Sequence, residues 1–457
     1  MSGPKVVHIV TREEIEALCC AHIALVDAAV ARVIATLKKY DMATDEKRAE
    51  LLRQRSVLKQ SLDTEKFLEV QKLAPALVDF CTTEIARIHQ RAADEAEAAR
   101  NRGRRVADAA RSIIALREKQ KLPVSEHLRA VVRKAGNAAP QTLDEMQFLL
   151  NQALSEVAKA GMSTDMSREA EELAGRLGAG GAPQTLEDWL KANPPAVNEK
   201  VRRLDKVLAE LKVLAAPTLY ETFASRAADI AGEAEPSRVN LLTDSLILDA
   251  STAVTNAKEL EVLRVRVEKL GAELSTLPVE TALLDRVRSV STSMDAGILR
   301  AAASEAKSAV NAARREIAAK ARRQAVLAGL ATLGYEVREG MATAWAKDGR
   351  IVIRKPNETD YGIELGGTSD LSRMQVQLVG SDHPASPRDS ARDRNREVSW
   401  CSDFDRLKAV VASNGGELAL ERALAPGSQA VKTVSDALLA PGATGGYEIE
   451  EPKAKHL

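Results

Sequence analysis

Residues able to do chemistry are few along this chain, and they are scattered. Asp360 and Glu364, followed by Gln375 and Gln377, lie on or beside stretches that read as successive short strands. Two carboxylates on neighbouring strands can hold a Mg²⁺ that activates water for phosphodiester cleavage. Such a centre also wants a lysine two positions after the second acid, and none stands there. Polar residues alternating along a half-exposed sheet account for the same pattern. The six histidines, His8, His22, His89, His127, His383 and His456, include no pair at metal-ligand spacing. Cys19, Cys20, Cys81 and Cys401 are too few and too spread for a disulfide framework, and read as reduced, small apolar residues. The glycine-rich stretch Gly178 to Pro183 lacks the Lys-Ser/Thr of a phosphate-binding loop and reads as a linker. No nucleophile elbow, zinc-protease motif or paired CxxC occurs. The expectation is a chain with no catalytic, cofactor or metal site.

Charge gives a second set of candidates. Lys and Arg number 65, as do Asp and Glu, so no net field favours nucleic acid or a membrane surface. The balance is nonetheless uneven. Between residues 100 and 134 eleven basic residues face three acidic ones. Arg100, Arg102, Arg104, Arg105, Lys119 and Lys121, with Arg314, Arg315, Arg322 and Arg323 further on, are the candidate phosphate contacts. The competing reading is solvated helix faces paired with the acidic stretch from 144 to 188.

The elements that must position these residues are mostly helical. Aromatic residues are 3% of the chain and charged residues 28%, a composition suited to long helices packed side by side. Val6 to Val10 is β-branched and reads as a strand, and Thr11-Arg12-Glu13-Glu14 has capping-box spacing that opens a helix to about Tyr40. A second helix is expected from Thr44 to Leu73, interrupted or restarted at Pro75. Val78, Cys81, Ile85, Ile88, Ala92, Glu95, Ala99, Arg102, Val106, Ala109, Ile113 and Leu116 step by threes and fours, a heptad seam. Continuous helix over 76 to 120 would be roughly 67 Å long. Proline and glycine breaks fill 121 to 237, with short helical pieces at 142 to 160, 184 to 192, 197 to 214 and 218 to 231. Heptads return from Leu260 to Ile317, and Gly334 ends that helix. The period then switches to two. Strands are expected at 335–337, 341–345, 350–354, 361–365 and 374–378, with Asp348-Gly349 as a hairpin turn. A polar loop over 380 to 397, a helix opening at Ser402, further strands near Leu418 and Val431, and a tail from about Ala440 complete the chain.

The reading is therefore a mainly α protein. Long coiled-coil helices form an antiparallel hairpin with a helical tip, and a small C-terminal α+β domain carries an antiparallel meander. Its divisions are an N-terminal strand (1–10), N-terminal helices and outgoing arm (11–120), a short-helix tip or joint (121–237), a returning arm (238–333), the α+β domain (334–440) and a tail (441–457). The function expected is a non-catalytic scaffold or adaptor in an intracellular multiprotein complex, binding protein partners, with homo-oligomers as a further option. The alternative is a nucleic-acid-associated component of a genome-maintenance or anti-phage assembly. No apolar run is long enough to span a membrane, no secretory leader is present, and a cytoplasmic location is expected.

Overall fold

The computed structural model describes residues 4–119, 121–134, 140–161, 199–233, 235–368, 370–382 and 389–440. Strand β1 (Lys5–Val10) leads into α1 (Arg12–Lys39), whose N-terminus is closed by the expected capping box between Thr11 and Glu14. Helix α2 (Asp45–Asp63) turns back beside α1, since Arg55 and Lys59 both reach Asp27 and Arg12 reaches Glu65. Helix α3 (Phe67–Lys119) then runs beside α1 in the same direction: Cys19 lies at Phe67 and Tyr40 at His89. The break falls at Glu65, not Pro75. Glu65 takes a left-handed φ of 59°, and the Lys66 N–H returns to the Ser61 carbonyl. Pro75 sits inside α3, where it removes only one turn's hydrogen bond.

Beyond α3 come α4 (Glu126–Lys134) and α5 (Pro140–Gly161), which close a small cluster on Ala107 and Ala110 at its far end. Next are α6 (Glu199–Leu214), α7 (Pro217–Ala231) and the long α8 (Pro236–Leu274). The tip helix expected at 184–192, the Gly178 to Pro183 stretch and the tail from 441 lie outside the described residues. Ion pairs fix the directions. Lys200–Asp244 and Lys258–Glu210 set α6 parallel to α8. Arg100 and Arg104 on Asp205, with Ala92 and Ala93 packed on Val213, set α6 antiparallel to α3. Helix α6 therefore lies against both long helices, antiparallel to α3 and parallel to α8. Ile113 packs with α4 and α5, and Ile85 packs with α1 and α2. Helices α9 (Thr281–Val290) and α10 (Ala296–Thr332) follow. Arg300 meets Glu259 and Arg314 meets Glu273, equal steps along both helices, so α8 and α10 lie parallel. Helix α1 is tied to α8 through Arg32 with Glu261 and Glu268, and to α10 through Glu14 with Arg322. Against expectation, α1 is long and apolar enough to cross a membrane; in this structure Val26, Val30 and Val33 pack within the α1–α2–α3 cluster.

The end of α10 enters the sheet's core. After α11 (Met341–Asp348) come β2 (Arg350–Ile353), β3 (Tyr361–Gly367), β4 (Arg373–Ser381), α12 (Ser390–Ser413), β5 (Glu417–Ala423), β6 (Lys432–Val434) and α13 (Asp436–Leu439). The strand order is β2-β3-β4-β1-β5, antiparallel throughout, and β6 adds parallel to the far half of β4. Strand β1 is thus flanked on both sides and not added to a free edge. One face packs Val7, Ile9, Ile363 and Val376 against Val326 and Leu330 of α10 and Trp400, Phe404 and Leu407 of α12. The strand expected at 335–337 does not form, and two further sequence expectations fail here. Met341 to Trp345 is helical: Met341 and Trp345, four apart, share the buried face, and alanines between them favour helix. Gly349, with φ 69°, is that helix's C-terminal stop and not a hairpin turn. The second failure is the helix start. Asp389, not Ser402, caps α12, because Arg392 and Arg396 within the polar stretch are tied to Asp360 and Glu358.

Candidate functional site

The densest polar chemistry lies where α12 crosses the inner face of the sheet. Asp403, buried on α12, accepts from the Tyr335 hydroxyl at 2.9 Å and from Lys355 Nζ at 2.6 Å. Tyr335 comes from the turn after α10, and Lys355 from the end of β2. One carboxylate therefore ties three elements together. The Lys355 ammonium also stands 4.9 Å from the Tyr335 ring centre. Burial, followed by the Asp403 charge and hydrogen bond, holds the Tyr335 phenol well above its ordinary ionisation range. It is a hydrogen-bond donor at neutral pH, not a base. Beside it Arg396 pairs with Glu358 at 2.7 Å, and the Tyr361 hydroxyl donates to Asp393 at 2.6 Å. The enclosed space among these groups is about 10 Å³, the room of a single water. Trp400 Nε1 is buried there without a protein acceptor.

On the other side of Trp400 lies a residue the motif search passed over. Lys5 is 2% exposed, with its ammonium 4.5 Å from the Phe404 ring centre and 3.2 Å from Cys401 Sγ. The signal was present in strand parity: Lys5, Val7 and Ile9 alternate onto one face. Asp403 was hidden by its reading as part of a helix cap at Ser402.

The two acids weighed for hydrolysis are separated by their partners. Glu364 points from the other face of the sheet, accepting from Gln377 at 3.0 Å and Lys432 at 2.7 Å, with Arg350 at 3.7 Å. It is 5% exposed, so it is a buried, paired acid and not a solvent-facing one. Asp360 lies before β3 and pairs with Arg392 at 3.0 Å. Gln375 is exposed. Among the described residues no group of three or more His, Cys, Asp or Glu side chains is arranged to hold a metal ion.

The basic candidates divide in two. Arg100 and Arg104 converge on buried Asp205, and Arg322 grips Glu14 through two nitrogens and donates to the Asp370 carbonyl. Arg314 pairs with Glu273 at 3.1 Å. Burial lowers the Arg323 guanidinium below its ordinary value, although Glu316 opposes this. Arg102, Arg105, Lys119, Lys121 and Arg315 are exposed. A groove of about 470 Å³ runs between α1, α8 and α9, lined in part by Ala28, Ala31, Gly271 and Ala272 and by none of the basic candidates. No protein-family model, curated protein or solved structure matches this chain.

Proposed function

We propose that the chain is a non-catalytic scaffold or adaptor of an intracellular, cytoplasmic multiprotein complex. In this reading 11–333 form a coiled-coil shaft, out and back around a helical tip, and the α+β domain at its base binds partners. The observation that carries it is the length of α3. Its 53 residues extend roughly 80 Å at ~1.5 Å per residue, linking a cluster at one end to a separate cluster at the other. A solitary compact enzyme gains nothing from that separation, whereas a spacer does. Exposed Leu241, Leu248 and Val262 on α8 recur at heptad multiples, which suits further protein contacts. The test is proximity labelling in cells from two positions, the turn between α3 and α4 and the sheet end. A scaffold gives two reproducible, different sets of neighbours; identical background from both positions overturns the reading.

A second reading, association with nucleic acid in a genome-maintenance or anti-phage assembly, rests on the exposed cations Arg102, Arg105, Lys119, Lys121 and Arg315. It requires affinity that falls steeply with salt. Arg102→Glu with Arg105→Glu must then weaken single- or double-strand binding, and unchanged affinity removes the reading.

A further inference from the structure

Lys5 poses a problem of charge. Its side chain is 2% exposed, and among the described residues its ammonium meets only a sulfur and the faces of Trp400 and Phe404. Ring faces and a thiol offset part of the desolvation of an ammonium, whereas an anion would offset far more. The atom closest to supplying one is Cys401 Sγ, 3.2 Å away on α12, in a residue of intermediate exposure, and the reaction requires that a small oxidant reach it. Oxidising that sulfur creates the missing counter-ion.

We propose that Lys5 and Cys401 are a modification site at which hydrogen peroxide produces a nitrogen–sulfur cross-link, a sulfenamide. In the first step the Cys401 sulfur takes one oxygen from peroxide: the O–O bond breaks, a sulfenic acid forms, sulfur gives up two electrons, and water leaves. The sulfenate that follows faces the Lys5 ammonium directly. In the second step the Lys5 ammonium passes one proton to the sulfenate oxygen, the lone pair so freed on nitrogen attacks sulfur, the S–O bond breaks, and the oxygen departs as water with a second proton from that nitrogen. The N–S bond replaces the ion pair, and no further reductant or proton source is needed. Condensation of a sulfenic acid with a nearby nitrogen is established chemistry, reversible by thiols. The fold holds the two atoms together through backbone registers unrelated to this reaction: β1 is hydrogen-bonded on both sides, and Trp400 and Phe404 flank Cys401 in α12.

The other cysteines serve as internal controls. Burial pushes up the thiols of Cys19, Cys20 and Cys81, that of Cys81 to about 11, which leaves little thiolate to attack peroxide. None of them has a lysine nitrogen beside it among the contacts described. The cross-link would join the first strand to a helix 396 positions later in sequence, fixing β1 in the sheet.

The experiment treats the full chain with hydrogen peroxide and reads intact mass and peptide maps. The expected product is lighter by about 2 Da, contains one linked peptide pair joining Lys5 to Cys401, and reverts with dithiothreitol. Cys401→Ser gives no such product. Lys5→Arg, which keeps a cation but cannot condense in this way, leaves a sulfenic acid at Cys401 that dimedone captures. Dimedone capture or further oxidation of wild-type Cys401 with the Lys5 peptide unlinked overturns the proposal, as does a disulfide-linked dimer or an unreacted Cys401. The wild-type measurement stands even where a variant folds poorly.

Discussion

Glu364 lies under Lys432 and Gln377 on the outer face of the sheet, and its loss is felt as stability. Glu364→Ala removes the carboxylate that Lys432 and Gln377 share; with Lys432 partly exposed, the expected loss is about 1–3 kcal/mol, read by urea unfolding. A Mg²⁺- or Mn²⁺-dependent DNA cleavage by the wild type that this substitution abolishes would instead restore a hydrolytic role. Asp370 behaves differently. The Thr368 hydroxyl and the Ser372 backbone hold its carboxyl at about 2, below its ordinary 3.8. A depressed carboxylate contributes stability above its ordinary value and loses it as pH falls through the folded one. Asp370→Asn should therefore be less stable than wild type at neutral pH, and the gap should close between 3.8 and about 2. A gap constant across acid titrations of unfolding would show that the carboxylate charge is not the cause.

Helices in this chain were legible wherever apolar residues kept a three-and-four step, and turns were legible only where glycine or proline marked them. The Thr11 cap and the long run through Ile113 follow from pattern alone. The turn at Glu65 does not, because an ordinary residue adopts the left-handed conformation there while Pro75 sits harmlessly in helix. Met341 to Trp345 misled for another reason: four-residue spacing of two buried side chains looks like alternation when the segment is short. Lys121 ends α3 in the same manner as Glu65, at φ 56°, with the Leu122 N–H returning to the Arg117 carbonyl. An L side chain there costs about 1–2 kcal/mol, against the smaller entropic disadvantage of glycine. Lys121→Gly should raise unfolding stability by roughly 0.5–1 kcal/mol, and a drop in denaturation midpoint would contradict the geometry.

At the scale of the molecule, sequence period indicated two long helical runs but could not say which surfaces meet. The separation of α3 from α8 by α6 turns on Asp205, a single acid in a short helix whose two arginine partners lie about a hundred positions earlier. The same blindness placed Arg100 and Arg104 among free cations. Asp205→Ala leaves both guanidiniums without their carboxylate and should cost about 3 kcal/mol. The loss should be local: amide exchange should accelerate in α6 and around residue 100 of α3, while the sheet amides keep their protection. Uniform acceleration, sheet included, would mean that the helices and the sheet open as one unit.

The central position of β1 also has a consequence for synthesis. Its neighbours, β4 and β5, lie far along the sequence, so β1 leaves the ribosome some four hundred residues ahead of its partner β5. At roughly 5–20 residues per second that is a wait of about 20–80 s. Until β4 is made Val6 to Val10 presents two open edges to nearby nascent chains, and until β5 is made it still presents one. Lys5, set on the inward face of this strand, places a charge where a foreign sheet would need an apolar residue. The same lysine that finds a place among rings in the finished protein thus guards the strand while those rings have yet to be translated.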